Sequence, residues 1–326
     1  MRLIVLNELH HYPDLHIIKE AGEFVYLDLP KHVSCIRSLR SATRAYIIAE
    51  DHKYNPHYIS NHKSIVGDIL AVVMRDQKNA FRSFKLICAG STSFDARSIA
   101  EYIHNTFQLA EAEDADLKAH IIKTKGTWEV GVQLTPRPLS SRDYKLRNMG
   151  GAMDPTIAYA VNSLADLGGA ESYLNVFSGS ATLLIEAAQC FPNLKKLLGF
   201  DNNKETISLA MQNIREAGVI RRVRLKEKDI FDKPDFGTFD VITSDLPFGM
   251  LIAKHEDLEN LYRAFVTYCQ GTLRPGGRLV IYTSEHKLLK KILAESLFGV
   301  QKTFELKLMT SANMYLHPKI FVCTFK

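Results

Sequence analysis

Long apolar runs are missing from this chain. Nowhere do 18 apolar residues follow one another, so no segment suits a membrane-spanning helix. The opening stretch, MRLIVLNELHHYPD, turns polar too soon to read as a signal peptide. Cysteine is sparse: the five copies (Cys35, Cys88, Cys190, Cys269, Cys323) form no C-x-x-C pair, and their number is odd. That pattern fits neither a disulfide framework nor a zinc site, and reduced thiols in a cytoplasmic compartment are the expectation. Histidine is dispersed as well; of 12, only His10 and His11 are adjacent, so no metal is expected. Charge of one sign is not concentrated in either half. Residues 1–150 carry 20 basic and 17 acidic side chains, the remainder 21 and 19, for a net charge of +5. Any nucleic-acid surface must therefore come from local arrangement rather than overall charge.

What is present is an ordinary globular composition, 46% hydrophobic and 24% charged, over 326 residues, a length that suits two domains. In the first half, Met1–Asn7, Glu23–Leu29, Ala45–Glu50 and Phe84–Ala89 have strand character. Ser64–Met74 and Asp95–Phe107 repeat their apolar residues at helical spacing, and strands follow at Lys118–Lys123 and Trp128–Leu134. Residues 135–153, TPRPLSSRDYKLRNMGGAM, combine two prolines, paired serines and a Gly-Gly, and mark a connection. Beyond it, Asp154-Pro155 is a strong helix start, a capping carboxylate before proline. Strands at Tyr173–Phe177, Leu197–Phe200, Val223–Glu227 and Val241–Ser244 then alternate with helices. A helix near Asp257–Leu273 is expected to stop at a Pro275-Gly276-Gly277 turn before a strand at Leu279–Thr283. Two strands close the chain, at about Thr303–Thr310 and Lys319–Thr324. The order predicts an α/β fold: a mostly parallel sheet covered on both faces, with an antiparallel edge hairpin.

Four strand-to-loop junctions carry the chemistry, at the strand ends where such sheets bind ligands. Asn175-Val-Phe-Ser-Gly-Ser-Ala-Thr182 joins a strand to a helix; Gly179 allows close backbone approach and the helix N-terminus favours a carboxylate. An ordinary tight turn is the plain alternative. Asp201, 22 residues after Gly179, could accept both hydroxyls of a ribose, or could merely cap the next helix if Asn202 or Asn203 does not. Asp229 could accept an adenine amino group while Ile230 packs on the ring. Ser244-Asp-Leu-Pro-Phe-Gly249 lies 66 residues beyond Gly179, counting to Asp245. A conjugated amine is a poor nucleophile because its lone pair is delocalised. Hydrogen bonds from its N–H groups to Asp245 and a backbone carbonyl would push the nitrogen toward tetrahedral geometry. Phe248 offers a flat face for a flipped-out base, a contact worth ~1–3 kcal/mol. The plain alternative places Asp245 as a cap and Phe248 in the core.

At these residues the chain resembles the THUMP-containing RNA guanine-N2 methyltransferases. The likeness is strongest at NVFSGSATLLIEAA, GFDNN, SDLPFG, DLENLYRAF and LRPGGRLVIYTS, and WEVGVQLTPRPLSSRDYK is similar to the family's domain junction. It implies a ferredoxin-like segment over 1–60, a THUMP-like RNA-binding domain over 61–145, and a Rossmann-like methyltransferase domain over 150–326. It implies S-adenosylmethionine as cofactor, held by Asn175, Phe177, Ser178, Gly179, Ser180, Thr182, Asp201, Asn202, Asp229, Ile230 and Asp245. Asp245, Leu246, Pro247 and Phe248 would handle the target guanine. RNA, transfer RNA foremost, is the implied partner, with a small zinc-binding activator subunit as used by some relatives. Where the family's first loop reads D-P-F-C-G-S-G-T, this chain has Asn175, Val176, Ser178 and Ala181, changes that bear on cofactor affinity more than on fold. Leu246 stands for the usual proline. Candidate RNA contacts in the first 150 residues are Lys31, Arg37, Arg40 and Arg44 and the junction residues Arg137, Arg142, Lys145 and Arg147; the dense run Arg221, Arg222, Arg224, Lys226 and Lys228, on a strand and loop beside Asp229, is ambiguous and is assigned no role. For any one of these a solvated surface role is the alternative.

Two other readings compete. The D-x-P-F loop also serves enzymes that methylate adenine N6 or a protein amide. A catalytically decayed scaffold that only binds RNA would explain the altered first loop.

Overall fold

The computed structural model describes residues 1–30, 33–51, 59–75, 81–88, 93–123, 127–146, 151–248, 255–311 and 314–326. The chain divides into two compact units, one of residues 2–141 and one of 142–326 together with Met1.

The first unit opens with helix α1 (Arg2–Leu9), the hairpin β1 (Ile17–Ala21) and β2 (Phe24–Leu27), and the short helix α2 (Ser34–Arg37). Then come β3 (Tyr46–Asp51), α3 (Ile59–Arg75), β4 (Ser83–Cys88), α4 (Phe94–Phe107), β5 (Ala110–Glu111), β6 (Leu117–Lys123) and β7 (Trp128–Gln133). The five strands from β3 onward form one sheet in the order β3-β7-β6-β4-β5, so it draws strands from both sides of residue 60. Val66, Leu70 and Val73 of α3 and Ile99 and Ile103 of α4 bury against Phe84, Leu117, Ile121, Val130 and Val132. Ser93 caps α4, accepting the Ala96 N–H at 3.2 Å.

The expected strand over Met1–Asn7 is instead helix α1. Its β-branched residues favour a strand locally, but Ile4, Glu8 and Leu9 bury with helical spacing. The Glu8 carboxylate takes the backbone N–H groups of Arg40 and Ser41 at 2.7 and 2.8 Å, a partnership only the helix provides. Tertiary contacts override weak local propensity here.

The second unit contains α5 (Pro155–Leu164), β8 (Ser172–Val176), α6 (Thr182–Cys190), β9 (Lys196–Asp201), α7 (Lys204–Glu216), β10 (Val223–Glu227) and β11 (Phe239–Asp245). It continues with α8 (His255–Thr272), β12 (Leu273–Thr283), α9 (His286–Ala294), β13 (Phe298–Glu305), the small hairpin β14 (Leu308–Ser311) and β15 (Met314–Leu316), and β16 (Lys319–Phe325). Seven strands make one sheet in the order β10-β9-β8-β11-β12-β16-β13. The first five run parallel, and β16 inserts antiparallel between β12 and β13. This is the α/β sheet with an antiparallel edge that the sequence pattern predicts.

Local signals explain most boundaries. Asp154 accepts the Thr156 N–H at 2.7 Å with Pro155 at the first helical position of α5. Asn203 caps α7 by accepting the Thr206 N–H at 2.9 Å, and Gly218 closes it at φ +71°. Strand β8 is buried along its whole length. Its Tyr173 hydroxyl meets Asn162 Oδ1 at 2.7 Å and Thr243 Oγ1 at 2.6 Å, and Asn162 donates to the Leu183 carbonyl at 3.0 Å. One satisfied polar network thus ties α5, β8, β11 and α6 inside the core.

Two details depart from expectation. Pro275-Gly276-Gly277 is not a turn before a new strand but a bulge inside β12: Phe239 pairs with Leu273, yet Val241 pairs with Arg278. Gly276 at φ +76° makes the excursion possible. The last strands also differ, β13 beginning at Phe298, and α9 lies ahead of it, burying Leu288, Leu289, Ile292 and Leu293.

Of the basic run near 221–228, Arg222 is structural. Its guanidinium donates to the carbonyls of Ala188, Phe191, Pro192 and Leu194, tying off the end of α6. Arg224 and Lys226 stay exposed on β10, at the sheet's edge. Arg222→Ala should therefore lower unfolding free energy by roughly 1–3 kcal/mol, the penalty for leaving carbonyls unsatisfied, read as a lower urea midpoint at unchanged slope. Arg224→Ala should change it far less.

Candidate active site

The four junctions singled out by sequence lie at the C-terminal ends of adjacent strands β10, β9, β8 and β11. Between β8 and α6, three residues in five adopt left-handed backbone: Phe177 at φ +55°, Gly179 at +50° and Ala181 at +64°. This tight path is pinned to β9. Ser178 N–H donates to the Phe200 carbonyl at 3.0 Å, and Gly179 N–H to Asp201 Oδ2 at 2.9 Å. The approach is possible because position 199 is glycine. A Cβ there would come within 2.3 Å of Ser178 Oγ and 2.4 Å of Leu184 Cδ1. Around Gly179 itself there is open space, with no atom within 4 Å of where a Cβ would project.

The start of α6 differs from those of α5 and α7. Ala181 at the N-cap makes no side-chain capping bond, and a helix start of this kind suits a carboxylate. Ser180 and Thr182 hydroxyls lie 3.0 Å apart beside it. Asn175, at the end of β8, is fully buried; its Nδ2 donates to the Thr243 carbonyl at 3.2 Å, while its Oδ1 has no partner among the described residues. A buried acceptor without a donor costs about 1–3 kcal/mol unless something supplies one. An ammonium group would.

Asp201 is half-buried, its carboxylate bonded to the backbone N–H groups of Gly179 and Asn203, so it organises two loops at once. Helix capping falls to Asn203, leaving the outer faces of the Asp201 oxygens for a diol. Asn202 donates to Asp229 Oδ2 at 3.0 Å, and Asp229 Oδ1 takes the Phe231 N–H at 2.9 Å. The Ile230 side chain goes into the core. The exposed ring in this loop is Phe231, which with Asp257, Asn260 and Leu261 lines an open hollow of about 640 Å³. Sequence reasoning overlooked Phe231 because an exposed aromatic has no periodic signature.

Asp245 ends β11 opposite Tyr282 of β12. Its carboxyl is closely enclosed although the residue as a whole keeps some exposure, and burial pushes its pKa up to about 8 against the pull of Lys145. Leu246 sends its side chain into the core and its N–H to the Tyr282 carbonyl at 3.0 Å. Tyr262 of α8 donates to the Pro247 carbonyl at 3.1 Å and meets Thr283 Oγ1 at 2.7 Å, bracing the loop from below. Phe248 is half-buried, its ring 5.9 Å from that of Tyr282, so it is not sealed in the core. Gly249 lies outside the described residues.

The junction stretch, read as a set of candidate RNA contacts, has two cations turned inward. Arg142 pairs with the fully buried Glu186 at 3.0 Å, joined by the Tyr144 hydroxyl at 2.8 Å. Lys145 donates to the Met153 carbonyl at 2.8 Å and feels Asp154 and Asp245. In the first unit, Arg44 donates to Gln133 at 3.1 Å. Lys31 and Arg147 lie outside the described residues. Among the described residues, no cluster of three metal-ligating side chains occurs and no helix is long and apolar enough to cross a membrane.

The UPF0020 family, described as an RMKL-like methyltransferase domain, matches residues 142–315. The chain is 29% identical over 203 residues to a tRNA (guanine(6)-N2)-methyltransferase of Thermus thermophilus, covering 60% of this chain and 59% of that protein. It is 31% identical over 157 residues to the mouse U6 snRNA (guanine-N(2))-methyltransferase THUMPD2, covering 48% of this chain and 28% of that one. It thus spans less than two thirds of either relative. The crystal structure of TrmN from Thermus thermophilus superposes with a TM-score of 0.71 at 22% identity, over 100% of this chain and 96% of that one, a likeness of fold.

Two outcomes are expected. Ala181→Gly relieves a left-handed alanine and should raise stability by about 1 kcal/mol in urea unfolding, less what glycine adds to unfolded-chain entropy. The folded protein holds the Asp245 proton to about pH 8, whereas an unfolded aspartate releases it near pH ~4. The group thus favours folding most at low pH and opposes it increasingly up to about pH 8. Asp245→Asn should raise Tm relative to the unsubstituted protein by an amount that grows over that interval and levels off above it.

Proposed function

The chain belongs to the UPF0020 family of RMKL-like methyltransferase domains, and from that premise we propose that it methylates the exocyclic N2 amine of a guanosine in structured RNA, transfer RNA foremost. The observation that carries this reading is the enclosed Asp245 carboxyl beside a half-buried Phe248 ring at the end of β11. The names of the relatives, both guanine-N2 methyltransferases of RNA, support guanine over adenine N6 or a protein amide.

The residues present suit S-adenosylmethionine. Among the described residues Asn175 Oδ1 is a buried acceptor without a donor, and the uncapped start of α6 and the open space at Gly179 suit an amino-acid end. In this reading Asp201, at the junction of two loops, takes the ribose, and the Asn202–Asp229 pair takes the adenine edge. Bound there, the cofactor supplies a methyl group activated by a sulfonium. This chain's own residues do the rest. Phe248 stacks the base, and Asp245 with a backbone carbonyl of its loop accepts the two N–H groups of the amine. Those bonds localise the lone pair and aim it, so catalysis is chiefly positioning. With its pKa near 8, the Asp245 carboxyl is also able to hold the proton the amine gives up. Tyr262, bonded to Pro247 and Thr283, keeps the loop from relaxing.

The unit of residues 2–141 fits a ferredoxin-like and THUMP-like RNA-binding part in this reading. A small zinc-binding activator subunit enters it only through the family resemblance.

Asp245→Ala should lower methyl transfer to RNA by at least a hundredfold, an order typical of a lost preorganised contact, while calorimetric S-adenosylmethionine binding stays within a few-fold. Nucleoside mass spectrometry of the product RNA should show N2-methylguanosine. Full activity in the variant, or a methyl group on adenine, would defeat the assignment.

A further inference from the structure

Helix α7 turns Ala210 and Ile214 into the core of the second unit, where both are fully buried. On the same face lies Asn213, a polar residue only 1% exposed. Its amide reaches a segment 33 residues away in sequence: Nδ2 donates to the Ser180 carbonyl at 3.3 Å. Its Oδ1, equally enclosed, has no partner among the described residues.

Packing alone does not call for this residue. An apolar side chain suits a buried helix position better, since asparagine is a poor helix-interior residue. A buried acceptor without a donor is penalised further. The donor half of the same amide supplies the reason for its presence.

Ser178-Gly179-Ser180-Ala181 is a tight turn, closed by the Ala181 N–H on the Ser178 carbonyl at 2.8 Å. Its entry is fastened to β9 through the N–H groups of Ser178 and Gly179. At its exit, the peptide between Ser180 and Ala181 carries two bonds. A planar trans peptide points its C=O and N–H in opposite directions. The bond from Asn213 to the oxygen therefore also sets the direction of the N–H that closes the turn. Here too the chain takes its third left-handed residue, Ala181 at φ +64°, a conformation that alanine holds only with outside support. Asn213 gives that support from α7.

We propose that Asn213 is a positioning residue for S-adenosylmethionine, locking the Ser180–Ala181 peptide so that the turn after β8 already has its binding shape before the cofactor's amino-acid end arrives. The role rests on the reading of that turn as the seat of the amino-acid end. Buried as it is, Asn213 acts through the Ser180 carbonyl rather than by touching the cofactor. Preorganising a turn in this way reduces the ordering that binding must otherwise bring about.

The test compares the unsubstituted full chain with Asn213→Leu, which keeps a branched outline but removes both donor and acceptor. Asn213→Ala serves if the leucine variant does not fold. Three quantities are read: exchange of the Ala181 amide hydrogen in the ligand-free protein, affinity for S-adenosylhomocysteine, and affinity for 5′-methylthioadenosine, which lacks the amino-acid end. Ala181 exchange should quicken by roughly tenfold or more, while that of Ile214 on α7 is unchanged. Affinity for S-adenosylhomocysteine should fall about tenfold, and that for methylthioadenosine should stay within about twofold. Because leucine also removes the unpartnered oxygen, its urea midpoint should lie close to that of the unsubstituted protein. Unchanged Ala181 exchange overturns the proposal. So does an equal loss of affinity for both ligands, which is what general damage to the fold produces. If the unsubstituted protein holds S-adenosylhomocysteine no more tightly than methylthioadenosine, the turn is not the amino-acid seat, and that reading falls together with the proposal. A clear preference for S-adenosylhomocysteine that survives in the variants leaves the seat standing and removes Asn213 from it.

Discussion

The turn after β8 is held against β9 by two hydrogen bonds, Ser178 N–H to the Phe200 carbonyl and Gly179 N–H to the Asp201 carboxylate, and both need the missing side chain of Gly199. From this close approach the rest of the site follows. It sets where α6 begins, with an N-cap that makes no side-chain bond among the described residues, and it fixes the Asp201 carboxylate at the junction of two loops. The same turn accepts three left-handed residues, two of them not glycine. Strain of this kind persists only where surrounding structure over-determines it, which is common at ligand sites.

Buried charge is the second organising theme. Glu186 is sealed inside the second unit and is offset by Arg142 and Tyr144. Taking one partner away from such a group is far more harmful than never having built it. The pairing therefore ties the link stretch to α6 more firmly than its polar composition suggests. Asp245 shows the opposite balance, a carboxyl whose enclosure raises its pKa to about 8. A group so placed is poised between charged and neutral, which is useful for chemistry and unhelpful for stability.

Much of this was legible in the sequence. The alternation of strands and helices from Asp154 onward, the caps at Asp154 and after Asp201, and the order of the four junctions follow from local spacing and turn chemistry. The antiparallel edge was legible too, though β13 starts earlier than its apolar pattern indicates. What escaped depends on contacts distant in sequence. Helix α1 is specified by Glu8 meeting Arg40 and Ser41, the Pro275-Gly276-Gly277 bulge by pairing with β11, and the inward aim of Arg142 and Lys145 by Glu186 and Met153. The roles of Ile230 and Leu246 divide in the same way: position put them in the loops, whereas burial sent their side chains into the core.

Among the described residues, the sheet of the second unit ends on β10 at one side and β13 at the other, each leaving a row of backbone donors and acceptors without a neighbouring strand. Arg224 and Lys226 stand exposed along β10, and Lys302 along β13. An approaching strand from a second molecule would have to desolvate these cations. The exposed lysines and arginine thus act as a guard against runaway edge-to-edge association, and help keep a long, strongly apolar sheet dispersed in water.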